Sequence, residues 1–331
     1  MTLLPKQKRI WITWEKHRRT RGLAQELNSE LHELTTDATG IVRYLLLGKR
    51  TLFLLVSINP DILITQNPSI VLNALAILLR PFFNYKLVVD RHSNFKFSSE
   101  NSSNPKWKAF HFLSQYVSRN SDLTIITNKY LRDVVSSWGG HGVILPDKLP
   151  DLPLARHRKL AGSKSFVFIC SFDLDEPIKE VIDAARLLPS DHTLYVTGDS
   201  TKANPSSIQN IPENIILTGF LSEEDFQGLL CSVDIIIVLT KYEYTLTCGA
   251  YEAISLDKGM ILSDTKTIKG YFSKGAIYTD PEKTSSIYNS MMEAASKSER
   301  LARELVDYKK IMVEDWKLAF SKLEEKIQRL S

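Results

Sequence analysis

Short apolar runs alternate with longer segments of helical period along almost the whole chain, and one proline-rich stretch interrupts them near the middle. Before that stretch, residues 9–13, 61–65, 86–90, 123–127 and 143–145 read as strands. Residues 18–34, 69–80, 106–118 and 128–138 read as helices, and 51–57 as the end of another. Apolar strands separated by helices predict a parallel sheet covered on both faces. The stretch PDKLPDLPLARHRKLAGSK is polar and basic, and its three prolines mark a linker at 151–164. Beyond it the alternation resumes, with strands at 166–170, 192–197, 215–217, 235–239, 260–263 and 276–278. Helices are expected at 176–188, 223–231, 249–255 and 285–326. The fold class is therefore α/β, with two Rossmann-like domains at 1–150 and 165–305. The last segment, 306–331, carries Tyr308, Met312, Trp316 and Phe320 at helical spacing and is expected to pack back towards the first domain. Ligands of such sheets bind outside the carboxyl ends of the strands, so the two domains are expected to face each other across a cleft.

Composition narrows the class. A chain of 331 residues exceeds one hydrophobic core, and 43% apolar with 24% charged residues fits a soluble globular enzyme. A net charge of +4 gives no reason to expect nucleic acid. Basic residues nevertheless crowd the amino end, from Lys6 to Arg21, against Glu15 alone. Cys170, Cys231 and Cys248 are widely spaced without a C-x-x-C pair, and are expected as buried thiols in a reducing compartment. Residues 1–13 lack the apolar core of a secretory leader, and no apolar run reaches ~18 residues. A cytoplasmic protein is the expectation.

Three pieces of the second half, VFICSFDLDEPIKEVIDAARLL, NIILTGFLSEEDFQGLLCSVDIIIVLT and TLTCGAYEAISLDKGMILSD, stand in a distinctive order over about residues 165–282. In that order and spacing the chain resembles the donor-binding half of GT-B glycosyltransferases, especially the family-4-like bacterial enzymes of surface polysaccharide synthesis. WITWEKHRRTRGLAQEL, PDILITQNPS and LVVDRHSN resemble acceptor-side loops of a subgroup of these enzymes. The resemblance implies transfer of a sugar from a UDP- or GDP-linked donor to a glycan on a polyprenyl carrier, at the inner face of the cell membrane. It implies no cofactor and no metal. The chain also departs from the family. Many members carry a Glu-x7-Glu pair; counting back from Glu252 reaches Tyr244, and the glutamate stands one residue earlier, at Glu243. The Arg and Lys that hold the diphosphate in many members are replaced by the acidic loop SFDLDEP, and the Gly-Gly loop by EKHRRTRG.

Glycosyl transfer must stabilise a departing diphosphate and take a proton from the acceptor hydroxyl. Thr245, Thr247, Cys248 and Gly249 form the turn into a helix whose free N–H groups can face an anion. Glu252 lies one turn in, placed either to bind ribose hydroxyls, as the second glutamate does in the related enzymes, or to complement the helix dipole. Gly219 and Phe220 follow a strand and read either as a wall against the base or as a plain turn capped by Ser222. Cations for the diphosphate are sought at Arg18, Arg19 and Lys241; the arginines read equally as a solvated helix start, although a basic start is unfavourable without an anion. His17 beside them is a candidate for sugar contact. Asp90 and His92, two apart at a strand end, point to one face and are the candidate base and its orienting partner, or else a helix cap and a structural histidine. Gln66 and Asn67 at the adjacent strand end are candidates for acceptor hydroxyls, or ordinary turn residues.

Trp107, Phe110, Leu113 and Tyr116 among Lys106 and Lys108 fit either a lipid-facing helix or one packed on the first domain. Two other functions fit the same residues: a sugar-nucleotide epimerase, which needs no acceptor, and a non-catalytic partner of a transferase.

Overall fold

The computed structural model describes residues 7–67, 69–92, 95–152 and 158–330. Lys6 of the basic cluster, Pro68, Ser93 and Asn94 of the loop motifs, 153–157 of the linker and the side chain of Arg18 lie outside the described residues. The chain divides into two compact units, 1–146 with 316–331, and 147–315.

The amino-terminal unit holds strands β1 (Arg9–Thr13), β2 (Glu30–Glu33), β3 (Ile62–Gln66), β4 (Lys86–Asp90), β5 (Leu123–Ile126) and β6 (Gly142–Ile144). They form one parallel sheet in the order β2-β1-β3-β4-β5-β6. The helices are α1 (Arg18–Glu26), α2 (Gly40–Ile58), α3 (Ile70–Phe83), α4 (Pro105–Asn120) and α5 (Lys129–Ser137). The side chains of Ile10, Ile12, Leu63, Leu87 and Val89 meet α2, α3 and α4 on one face. Trp11, Ile62, Ile64, Val88 and Ile125 meet α1 and the carboxyl-terminal part of the last helix on the other. The helix expected at 18–34 is shorter. Asn28 turns the chain with φ +49, a left-handed conformation that asparagine tolerates, and Glu30–Glu33 joins the sheet beside β1.

The second unit holds β7 (Lys164–Phe168), β8 (His192–Thr197), β9 (Ile215–Gly219), β10 (Ile235–Val238), β11 (Gly259–Ser263) and β12 (Ala276–Thr279). This sheet is also parallel, in the order β12-β11-β10-β7-β8-β9. The order reverses between β7 and β10, the switch point of a doubly wound sheet. Its helices are α6 (Ile178–Ala185), α7 (Glu223–Ser232), α8 (Cys248–Ser255), α9 (Lys266–Tyr271) and the start of α10 (Thr284–Gln328). One face packs on α6 and on Ile287, Met291 and Ala294 of α10. The other packs on α7, α8 and α9, with Leu305, Tyr308 and Met312. Of the four spaced residues at the chain's end, Tyr308 and Met312 thus belong to the second core, and Trp316 and Phe320 to the first. Trp316 Nε1 donates to the Pro146 carbonyl at 3.1 Å. Cys170 and Cys231 are buried; Cys248, the first residue of α8, is exposed, and this corrects the expectation of three buried thiols.

Gly275 leads into β12 with φ +67, and a Cβ there would stand 2.4 Å from two carbons of the buried Leu305. Gly275→Ala is therefore expected to destabilise the second unit by about 2 kcal/mol or more, measured by urea unfolding of the full chain.

Candidate functional site

Each unit presents a group of polar side chains at the carboxyl ends of its strands, and each is built by a short connection that follows a central strand.

In the first unit, β4 ends in Asp90, and its carboxylate has no exposed surface. Strand alternation sends Asp90 and His92 to one side and Arg91 to the other. His92 Nδ1 lies 3.1 Å from Asp90 Oδ2. Arg19, in the first turn of α1, reaches the same carboxylate at 3.4 Å and donates to the Leu145 carbonyl at 2.9 Å. His17, the N-cap residue of α1, lies with its ring centroid 4.8 Å from that of His92. Burial pushes the Asp90 carboxyl up, but Arg19 and His92 together outweigh it and hold it down at about 2. Asp90 is thus a fixed carboxylate at neutral pH and a weak proton acceptor. Its accepting oxygen favours the His92 tautomer with the proton on Nδ1, which leaves the Nε2 lone pair for another group.

Gln66 and Asn67 end β3 beside Asp90, and both are fully buried. The carboxamide of Gln66 lies 2.8 Å from Thr13 Oγ1, across the switch point between β1 and β3. Asn73 of α3 donates to Asn67 Oδ1 at 3.2 Å. The structure therefore brings His17, Arg19, Asp90 and His92 together and places Gln66 and Asn67 as straps beneath them. Sequence reading missed Arg91. Its guanidinium is buried over the rings of Phe95, at 4.2 Å, and Trp138, at 5.2 Å, and Nη1 donates to the Ser114 carbonyl. Burial lowers it to about 9. The sequence signal was the aromatic pair around it, dispersed over 95–138.

In the second unit the acidic loop lies at the switch point. The carboxylate of Glu176 accepts from the N–H of Ser171 at 3.0 Å and of Asp173 at 2.9 Å. Burial holds the Glu176 carboxyl above its usual range although those amides pull it down. Asp175 accepts from Thr240 Oγ1 at 2.5 Å and, through its carbonyl, from Lys241 N–H at 2.7 Å. Two amides of the loop, those of Ser171 and Asp173, are thus taken up by its own Glu176. Lys241 Nζ leans towards Glu180 of α6, at 3.9 Å.

Beyond this loop α8 begins at Cys248. Thr247 is its N-cap, but its side chain does not cap, and Thr247 Oγ1 is buried without a partner. Thr245 and Thr247 are half-buried, and Glu252 stands half-buried one turn into the helix. Gly249 has a packing reason: a Cβ there would lie 2.9 Å from Ile169 and from Val238. Glu243 accepts from Thr267 N–H at 3.1 Å, which ties it to the first turn of α9. Gly219 (φ +69) and the exposed Phe220 end the edge strand β9, with β8 between it and β7. No group of three or more His, Cys, Asp or Glu side chains that could hold a metal ion occurs among the described residues.

No protein-family model and no curated protein sequence matches the chain. Solved structures do. Anabaena Alr3699/HepE, solved with UDP-glucose, superposes with a TM-score of 0.73 at 11% identity, over 96% of this chain and 91% of that one. The fold is GT-B. A sucrose-phosphate synthase from Thermosynechococcus elongatus shares this GT-B architecture, with a TM-score of 0.71 at 14% identity, over 87% of this chain and 78% of that one. A candidate UDP-N-acetylglucosamine 2-epimerase from Listeria monocytogenes matches with a TM-score of 0.62 at 12% identity, over 90% of this chain and 91% of that one.

The electrostatics of Asp90 carry a test. Its folded value, about 2, is below the ordinary 3.8, so its stabilisation is complete above 3.8 and is lost as pH falls through about 2. Asp90→Asn is expected to lower stability by about 2 kcal/mol at neutral pH, with the difference shrinking across that acid window in urea titrations. A difference independent of pH would remove ionisation as the cause.

Proposed function

We propose that this chain is a glycosyltransferase that moves a sugar from a nucleotide-activated donor to a hydroxyl of a glycan acceptor. The observation that carries the reading is the Asp90–His92 pair of a GT-B chain: a buried, permanently ionised carboxylate 3.1 Å from an imidazole nitrogen at a sheet's carboxyl edge. In this reading His92 Nε2 takes the proton of the acceptor hydroxyl as the new glycosidic bond forms. Asp90 fixes the ring and stabilises the imidazolium. His17 contributes to the acceptor side, as do Gln66 and Asn67 through the geometry that they impose on the strand ends.

The donor belongs to the second unit. The uncapped N-terminus of α8 supplies backbone N–H groups and a positive dipole end for the leaving diphosphate. Glu252 binds the ribose hydroxyls, and Phe220 stacks on the base. Lys241 is this unit's candidate cation for the diphosphate. Arg19 serves by holding Asp90, and Glu243 by holding α9. A uridine-linked donor is supported by the UDP and UDP-glucose of the Anabaena protein. The reaction needs no metal, a hexosyl group is the unit transferred, and the acceptor is a lipid-linked glycan of surface polysaccharide synthesis at the inner membrane face; these follow the sequence resemblance.

Similarity to an epimerase candidate keeps one second reading, in which the donor sugar is inverted without any acceptor. Incubation with a panel of sugar nucleotides separates the two. Transfer releases nucleoside diphosphate in an acceptor-dependent way; epimerisation yields a new sugar nucleotide when no acceptor is added. Asp90→Asn is expected to reduce turnover roughly 100-fold or more while sparing donor binding. Glu252→Ala is expected to raise donor KM about tenfold. Normal turnover in both variants would overturn the site.

A further inference from the structure

Helix α2 is apolar on two opposite faces. Leu47, Thr51 and Leu55 point into the core of the first unit. Ile41, Leu45, Leu52 and Val56, at i, i+4, i+11 and i+15, lie on the opposite side with Phe53. These outward side chains are open to solvent: Ile41 is 74% exposed, Leu45 68%, Phe53 70% and Val56 62%. Helix α3 packs between α2 and α4. It adds the exposed Leu78 and Phe82, and α4 adds Phe112 stacked on Tyr116. An outward apolar surface of this extent is uncommon on a protein that meets only water.

Its charge says what covers it. Helices α2, α3 and α4 carry seven Lys and Arg residues and not one Asp or Glu, in a chain where 38 of 331 residues are acidic. Arg43 and Arg80 pair with Glu15 and Asp122 outside these helices. Lys49, Arg50, Lys106, Lys108 and Arg119 have no carboxylate partner among the described residues. Lys49 stands within the outward apolar stripe of α2, and Lys106 lies 5.4 Å from the Trp107 ring. A second copy of the chain would set this positive surface against itself. An anionic bilayer surface satisfies both properties, because apolar side chains enter the acyl boundary while Lys and Arg meet the headgroups. No helix among the described residues is long and apolar enough to cross a membrane, so α2 would lie along the interface.

We infer that the outward face of α2, with the exposed residues of α3 and α4, docks the protein on a membrane surface rich in anionic phospholipid. This inference deepens the membrane location proposed above by naming the surface that would reach it, and vesicle binding is read separately from turnover. The test is co-sedimentation of the full chain with vesicles of phosphatidylcholine alone and with phosphatidylglycerol making up one third. Binding is expected only to the anionic vesicles and is expected to weaken with salt. Leu45→Asp with Phe53→Asp should abolish it, and Lys49→Glu with Arg50→Glu should weaken it at least roughly tenfold. All four positions are exposed, and circular dichroism checks that the variants fold. Equal binding to neutral vesicles, unchanged binding of either variant, or a lipid-free dimer in sedimentation velocity that Leu45→Asp with Phe53→Asp dissociates would overturn the assignment.

Discussion

Taking an ionised carboxylate out of water costs several kcal/mol unless opposite charges and hydrogen bonds meet it, and Asp90 is wholly out of water at the end of a central strand. Arg19 and His92 meet it. Their positions fix much of the unit around it. Arg19 reaches Asp90 because α1 starts five residues after β1 ends, and the same guanidinium holds the carbonyl of Leu145 just past β6. Three strand ends are thereby drawn to one ionic centre. A basic first turn is unfavourable for a helix dipole unless an anion lies near it. Asp90 is such an anion, supplied by the protein.

The second unit solves a similar problem in a different way. Its switch-point loop is acidic, and acids next to helix starts are stabilised by unpaired amides. Glu176 takes the amides of Ser171 and Asp173, and Asp175 takes Thr240. These two acids are therefore met within the unit. The start of α8 differs, because Thr247 provides no side-chain cap there.

Much of the architecture was legible because buried parallel strands and the helices between them have different periods. The parts that were not legible have specific causes. Strand β2, ELHE, is polar and half-exposed at a sheet edge, so it carries no apolar run. The beginning of α2 escaped notice because residues apolar on both faces show no helical period. Helix α9 has six residues, too few for a pattern, and so the place of Glu243 at its first turn was out of reach. At the site, Asp90 and His92 were readable from strand alternation alone. Their link to Arg19 was not, since 71 residues separate Arg19 from Asp90. Gly249 was legible as part of the turn into a helix, but its close contact with Ile169 and Val238 was not, since those residues lie on other strands or strand ends.

Both units use the same parallel scaffold, yet they place opposite chemistry at their strand ends. One gathers an imidazole pair around a buried acid and its arginine, a set suited to moving a proton at a fixed point. The other meets its acids with its own amides and a threonine hydroxyl, and starts α8 without a side-chain cap. Proton transfer and charge stabilisation make conflicting demands on one environment, because a positive end that stabilises a leaving anion also makes a nearby base harder to protonate. In the proposed reaction, two sheets with separate strand-end chemistry would let each demand be met in its own surroundings.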